Sequence, residues 1–240
     1  MKNLIPIILV LLSINVFGQQ KTKWLNSLEN PKSRMFQKLK KGNLLNRYLK
    51  YDLSDVLVPK TDFLGFIGTD FRRIKINYSS IKKSTNTSNL YFITGTTKVG
   101  DNICDFEGTI TIEQFREFEN MHYGIDDKYA DAGFKAQGIA IGKYLFNENP
   151  EQKFVGTFEG IMTVWWYVNK NGEIKFDDLE TYSDNYKNNQ YAGNWTQYGK
   201  TKSKICNWGE YRIPFSEGLD EGTGEFSPNP YSKGWEDFYK

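Results

Sequence analysis

From residue 70 to residue 213 the apolar side chains of this chain recur at every second position, and that period limits the fold more than any other feature. The clearest stretch is 102–112, where Cys104, Phe106, Ile110 and Ile112 fall on one face and Asp105, Glu107, Thr109 and Thr111 on the other. Side chains alternate across a strand, so this is the pattern of an antiparallel sheet with one buried and one wet face. Ile74, Ile76 and Tyr78 repeat it, and Tyr91, Ile93, Thr97 and Val99 do so around Gly95. So do Phe134, Ala136, Gly138, Ala140, Gly142, Tyr144 and Phe146, whose small central members leave room for bulky neighbours or for a ligand. In 153–168 the aligned residues are Phe154, Phe158, Met162, Val164, Trp166 and Val168, followed by Asn171-Gly172, a two-residue hairpin signal. Further strands are expected near 173–182, 189–199 and 203–213. An aromatic content of 16% fits half-buried pleated surfaces.

About eight strands joined by short connections predict a mainly β domain over 69–213, an antiparallel barrel whose closure removes exposed edges. A two-sheet sandwich is the alternative. Residues 19–68 read as a helical segment and its connection. Asn30 caps and Pro31 opens a helix that Gly42 ends; Leu44, Leu45, Tyr48 and Leu49 give another turn or two; 51–68 is irregular. Phe115, Phe118 and Met121 recur at helical spacing and predict a short inserted helix over 114–123. The Gly- and Pro-rich tail, 214–240, is expected to wrap the body as coil.

Residues 1–18 have the layout of a secretory signal peptide: Lys2, an apolar run from Leu4 to Phe17, then Gly18 at the cut position. The run is short for a membrane span, which needs about 20 residues, and no other stretch is long and apolar enough. The expectation is a secreted or periplasmic protein with no membrane span once the leader is gone. Loss of Lys2 would leave 30 basic against 29 acidic residues. That balance argues against a nucleic-acid partner, which needs a basic face to release counterions.

The two cysteines, Cys104 and Cys206, lie in similar contexts, Ile-Cys-Asp-Phe and Ile-Cys-Asn-Trp. In an exported chain they are expected to pair and staple the barrel closure; two buried free thiols are the alternative. If Cys104 points inward, parity sends Cys206, Trp208, Glu210 and Arg212 inward too. The buried Glu and Arg then need partners, unless one lies wet at the barrel mouth.

Gly193-Asn194-Trp195, followed by a strand carrying Arg212, resembles the Gly-x-Trp and Arg pairing of lipocalin- and avidin-type barrels. Those families carry Gly-x-Trp on the first strand, whereas here it is near the end. The resemblance implies a lipocalin-like barrel in which Trp195 closes one end and Arg212 stacks on it. The chain also looks like secreted bacterial proteins of barrel type.

The remaining chemistry is sparse. His122, the one histidine, sits near Glu117 and Glu119; it suits a structural place at a helix end better than acid–base work. One histidine and two paired cysteines do not make a zinc site. Asp177, Asp178, Glu180 and Asp184, and separately Glu217, Asp220, Glu221 and Glu225, are acidic clusters without EF-hand spacing. No Gly-x-Ser-x-Gly and no Walker-type loop occurs, so no cofactor is expected. Trp165 and Trp166 are adjacent and must face opposite ways. The favoured function is a non-enzymatic exported protein that holds a small apolar or aromatic molecule within the barrel, lined by Trp166, Trp195, Trp208, Tyr144, Phe158 and Arg212. A protein-binding or inhibitory module using an outer Trp165 face is the second reading, and a hydrolase the third.

Overall fold

The computed structural model describes residues 22–28, 38–184 and 186–239. The leader expected over 1–18 and the helix start at Asn30-Pro31 lie outside them. Helical pieces are α1 (22–28), α2 (Leu45–Tyr48) and α3 (Ser54–Leu57). The strands are β1 (Leu64–Ile67), β2 (Arg72–Arg73), β3 (Lys75–Lys83), β4 (Leu90–Val99), β5 (Asn102–Glu117), β6 (Ala136–Glu148), β7 (Gly156–Val168), β8 (Ile174–Phe176), β9 (Asn188–Gln197) and β10 (Ser203–Glu210).

Among the described residues the ten strands form one sheet, antiparallel at every pairing, in the order β2-β1-β10-β9-β7-β6-β5-β4-β3, with β8 on β7. The two ends of that order are one piece of chain. β2 pairs with β1, Ile74 N–H donates to Gly65 O at 3.0 Å, and the next residue opens β3, which pairs with β4. The sheet therefore curls back on itself around eight walls, counting β2–β3 as one. The expected mainly β, barrel-like fold is present.

Three differences from expectation have local causes. The helix expected over 114–123 is strand as far as Glu117. A bulge between Ile112 and Gln114 inserts one residue, so Ile112 and Phe115 both face the core. Phe118 then packs on the opposite surface, and single helical turns follow at Ile125–Asp127 and Ala130–Ala132. β1 was expected as connection; its four residues are covered on both sides, so no alternation is visible. The strand near 203–213 ends at Glu210, where Tyr211 takes φ +65°.

Three apolar bodies hold the molecule. The largest fills the barrel, and α2 and α3 close one end of it with Tyr48, Leu53, Val56 and Leu57. The second lies outside the sheet, where Trp24 and Leu28 of α1 and Leu39 cover Trp165, Ile139, Ile141 and Ile161. The third joins the C-terminal tail, through Leu219, Phe226 and Trp235, to Phe66 on β1.

Candidate functional site

The residues expected to line a ligand chamber are packed on one another. Trp208 stacks on Tyr191 with centroids 4.7 Å apart, Tyr144 meets Trp208 edge-on at 5.0 Å, and Phe158 meets it at 6.2 Å. Trp166 lies 4.5 Å from Tyr48 of the end plug and 5.6 Å from Phe115. The space opened by small residues goes to these rings: a side chain on Gly160 or Gly193 would collide with the Tyr144 hydroxyl. Trp195 belongs to the same core, with its Nε1–H donated to Glu148 at 2.9 Å.

Arg212 is elsewhere. Parity holds through Trp208 and Glu210, both fully buried, and fails at Arg212 because the strand has ended. Its guanidinium binds the Asp220 carboxylate and the carbonyls of Gly222 and Gly224. Trp195 lies at the far end of the β9–β10 pair, and the cation over its ring is Lys204, at 5.5 Å.

Cys104 and Cys206 are buried free thiols; the expected disulfide is not formed. Both point inward as parity requires, but β5 is the fourth strand from β10 whichever way the barrel is followed. The two cysteines thus stand on opposite walls, beyond the roughly 7 Å between Cα atoms that a disulfide tolerates. Burial pushes both thiols up, and nearby Glu148 adds to the effect, so neither is an activated nucleophile.

Each acidic cluster contains a cation from the chain itself. Arg212 occupies the 217–225 loop. In the 177–184 cluster, His122 Nε2 is 2.8 Å from Asp177 Oδ2 and Nδ1 is 3.2 Å from Glu180 Oε1. Burial alone would lower the imidazolium, but the hydrogen bonds to Asp177 and then Glu180 outweigh it and raise its pKa to about 10. His122 is therefore a buried, charged tie rather than a proton shuttle, and its partners are not the neighbouring Glu117 and Glu119. Glu117 instead accepts from Tyr48 Oη (2.6 Å), Lys40 and Arg47. Trp165 is covered by α1 and offers no open face.

A concavity large enough for a small ligand lies on the outer surface, across β4, β5 and β6. There Gly95, Phe106 and Glu148 are in register on adjacent strands, and the side chains on either side of each point outward. They form a recess of about 1020 Å³ whose floor carries Thr94, Thr96, Asp105, Glu107 and Asn147, with Ser79 at one border. The 149–155 loop and Tyr198 make the walls. Gln152 fixes the loop by accepting from Asp105 N–H at 2.8 Å and donating to Asp105 Oδ2 at 3.1 Å. Tyr198 Oη donates to Glu148 O at 2.7 Å, and Thr157 Oγ1 donates to Asn147 Oδ1 at 3.0 Å. Phe154 is 72% exposed at φ +57°, a backbone region that a bulky residue seldom occupies.

The sequence placed Asp105 and Glu107 on the outward face of 102–112 but gave no reason to single them out. Phe154 was grouped with the inward residues of the next strand; β7 starts at Gly156, and the turn before it throws Phe154 out. No helix of the described residues is long and apolar enough to cross a membrane. No protein-family model, curated protein or solved structure matches the chain.

Proposed function

We propose that this is an exported, non-enzymatic binding protein whose site is the outer recess across β4–β6, and that its ligand is a small polyhydroxylated molecule of the oligosaccharide kind. The observation that carries the reading is a concavity of about 1020 Å³ floored by hydroxyl, amide and carboxylate groups and flanked by an exposed aromatic ring. Pockets for drug-sized ligands run to about 1,000 Å³, and a few well-placed polar groups fix the orientation of what they hold. Hydroxyls need partners that both donate and accept; Thr94, Thr96 and Asn147 do both, and Asp105 and Glu107 accept. The exposed ring of Phe154 gives a sugar's apolar face somewhere to pack. Export is supported by the leader-like sequence at 1–18.

Binding is favoured over hydrolysis by the placing of the acids. Asp105 and Glu107 leave one strand two residues apart, whereas glycoside cleavage needs carboxylates on either side of the scissile bond. The interior is the less favoured seat because its rings already occupy it.

The test is a titration with neutral soluble oligosaccharides (cello-, malto- and N-acetylchito-oligomers) followed by amide NMR. Shifts confined to 94–96, 105–107 and 147–154 are expected, and Phe154→Gly should weaken binding at least about tenfold with the fold retained. An apolar probe that moves the indole N–H signals of Trp166 and Trp208, with no sugar moving the recess, would return the site to the barrel interior.

A further inference from the structure

We infer that the recess selects sugars bearing a protonated amine, a glucosamine-type oligomer rather than its N-acetylated counterpart. The inference rests on the reading of the recess as a sugar site and adds the chemical feature that the site recognises. The residues lining the recess include Asp105, Glu107 and Glu148, and among the described residues that line it none is Lys or Arg. In a chain with 31 basic and 29 acidic residues, a concavity of this size with carboxylates of one sign only departs from the balance of the whole.

The three acids are not equivalent. Glu148 is committed to the protein: it accepts from Thr97 Oγ1 at 2.6 Å, Gly156 N–H at 2.9 Å and Trp195 Nε1–H at 2.9 Å. Asp105 spends one oxygen on Gln152. Glu107 is exposed, and no cation among the described residues pairs with it or with Asp105. Its neighbour across the ladder is Asn147, whose Oδ1 already accepts from Thr157. An ammonium seated over Glu107 would gain a charge-assisted hydrogen bond there and a second acceptor in Asp105. The walls are compatible with the same ligand, because Phe154 and Tyr198 bring aromatic rings to the lining and a cation is attracted to the face of a ring. Lys98, two residues beyond Thr96 on β4, Lys153, next to Phe154, and Lys200, two residues beyond Tyr198, are the cations nearest in sequence; none is part of the lining.

The experiment compares a glucosamine tetramer, its fully N-acetylated form and a glucose tetramer by calorimetry at a pH of about 6, where the sugar amine is protonated. The site is open to solvent, so the charge should be worth about fivefold in affinity at low salt and less as salt rises. Glu107→Gln should abolish the preference, so that within this variant the glucosamine tetramer binds no more tightly than the two neutral tetramers, whatever the change in their common affinity. Equal binding of all three in the wild type, or a preference that survives Glu107→Gln with Asp105→Asn, overturns the amine selection and leaves the sugar site standing. Failure of every tetramer to shift the 94–107 amides overturns both.

Discussion

At the residue scale the most informative group is Glu210, which is fully buried on β10. Its Oε1 accepts from the backbone N–H of Lys60 (2.6 Å) and Thr61 (2.9 Å), tying the segment after α3 to the barrel wall. Its Oε2 has no hydrogen-bond partner, and neither does Oδ1 of Asn189, whose amide lies beside the carboxyl. Burial raises the pKa of Glu210 against the lowering effect of those donors. A carboxyl raised in the folded state makes folding less favourable as pH climbs from its unfolded value, near 4.5, through its folded one. Glu210→Gln keeps an acceptor for Lys60 and Thr61 and removes the cost of a buried carboxylate. It should therefore stabilise the protein by about 1 kcal/mol at neutral pH, with the gain shrinking towards pH 4.5. Urea unfolding at several pH values measures this. A loss of stability at neutral pH would mean that the charge itself holds the 60–61 turn. The sequence showed this residue as inward and in need of partners, and that was correct. Its partners were not legible, because they come from residues about 150 positions away along the chain.

At the element scale the His122 tie joins the segment between β5 and β6 to the loop after β8. Asp177, at its centre, is fully buried, and its carbonyl accepts from Tyr186 Oη and Asn188 Nδ2. The sign of its pH dependence follows from the shifts. The imidazole is raised from 6.5 to about 10, so its contribution is complete below 6.5 and is lost as pH rises through 10. Glu180 is lowered, chiefly by its hydrogen bond to His122, so its share is lost as pH falls through its depressed value. One histidine makes the check direct: its ring protons should show a titration midpoint near 10, and His122→Gln should remove the stability lost between pH 7 and 10. A midpoint near 6.5 would show a solvated ring outside the tie. Elements differ in how far the sequence exposes them. β5 and β6 were legible because one face is wet and the other dry. The helical spacing of Phe115, Phe118 and Met121 does not mark one face: Phe115 packs in the barrel core and Phe118 on the outer surface, as an odd step along a strand requires. β1 was missed because sheet on one side and tail on the other leave it no polar face. The recess was illegible for another reason: Thr94, Asp105, Glu107 and Asn147 are ordinary outward residues of three strands, and only their register makes them one surface.

At the scale of the whole molecule, closure of the barrel depends on one narrow seam. Elsewhere each wall is joined to its neighbour by a ladder at least seven residues long, but β1 has four residues and meets β2 at two positions before Ile74 carries the chain across to β3. Gly65 makes the seam possible, because a Cβ there would touch the Ile74 carbonyl and the Trp208 Cβ, both at 3.0 Å. The rings of the interior are fixed partly by this seam, since Trp208 stands opposite Gly65 across the β1–β10 ladder while stacking on Tyr191. Gly65→Val should therefore cost about 1–3 kcal/mol by overpacking. The opening should be local: proteins come apart in cooperative units, and the seam is the least bonded. Hydrogen exchange should show the Ile74 amide and those of β1 and the first half of β3 losing protection first, with β6 and β7 protected up to global unfolding. The recess across β4–β6 lies on the far wall from β10, so the variant should keep its oligosaccharide affinity. Uniform loss of protection would mean that the barrel has no weak seam and closes as one unit. Lost affinity with β6 and β7 still protected would mean that the recess is shaped by the closure and not by its own three strands.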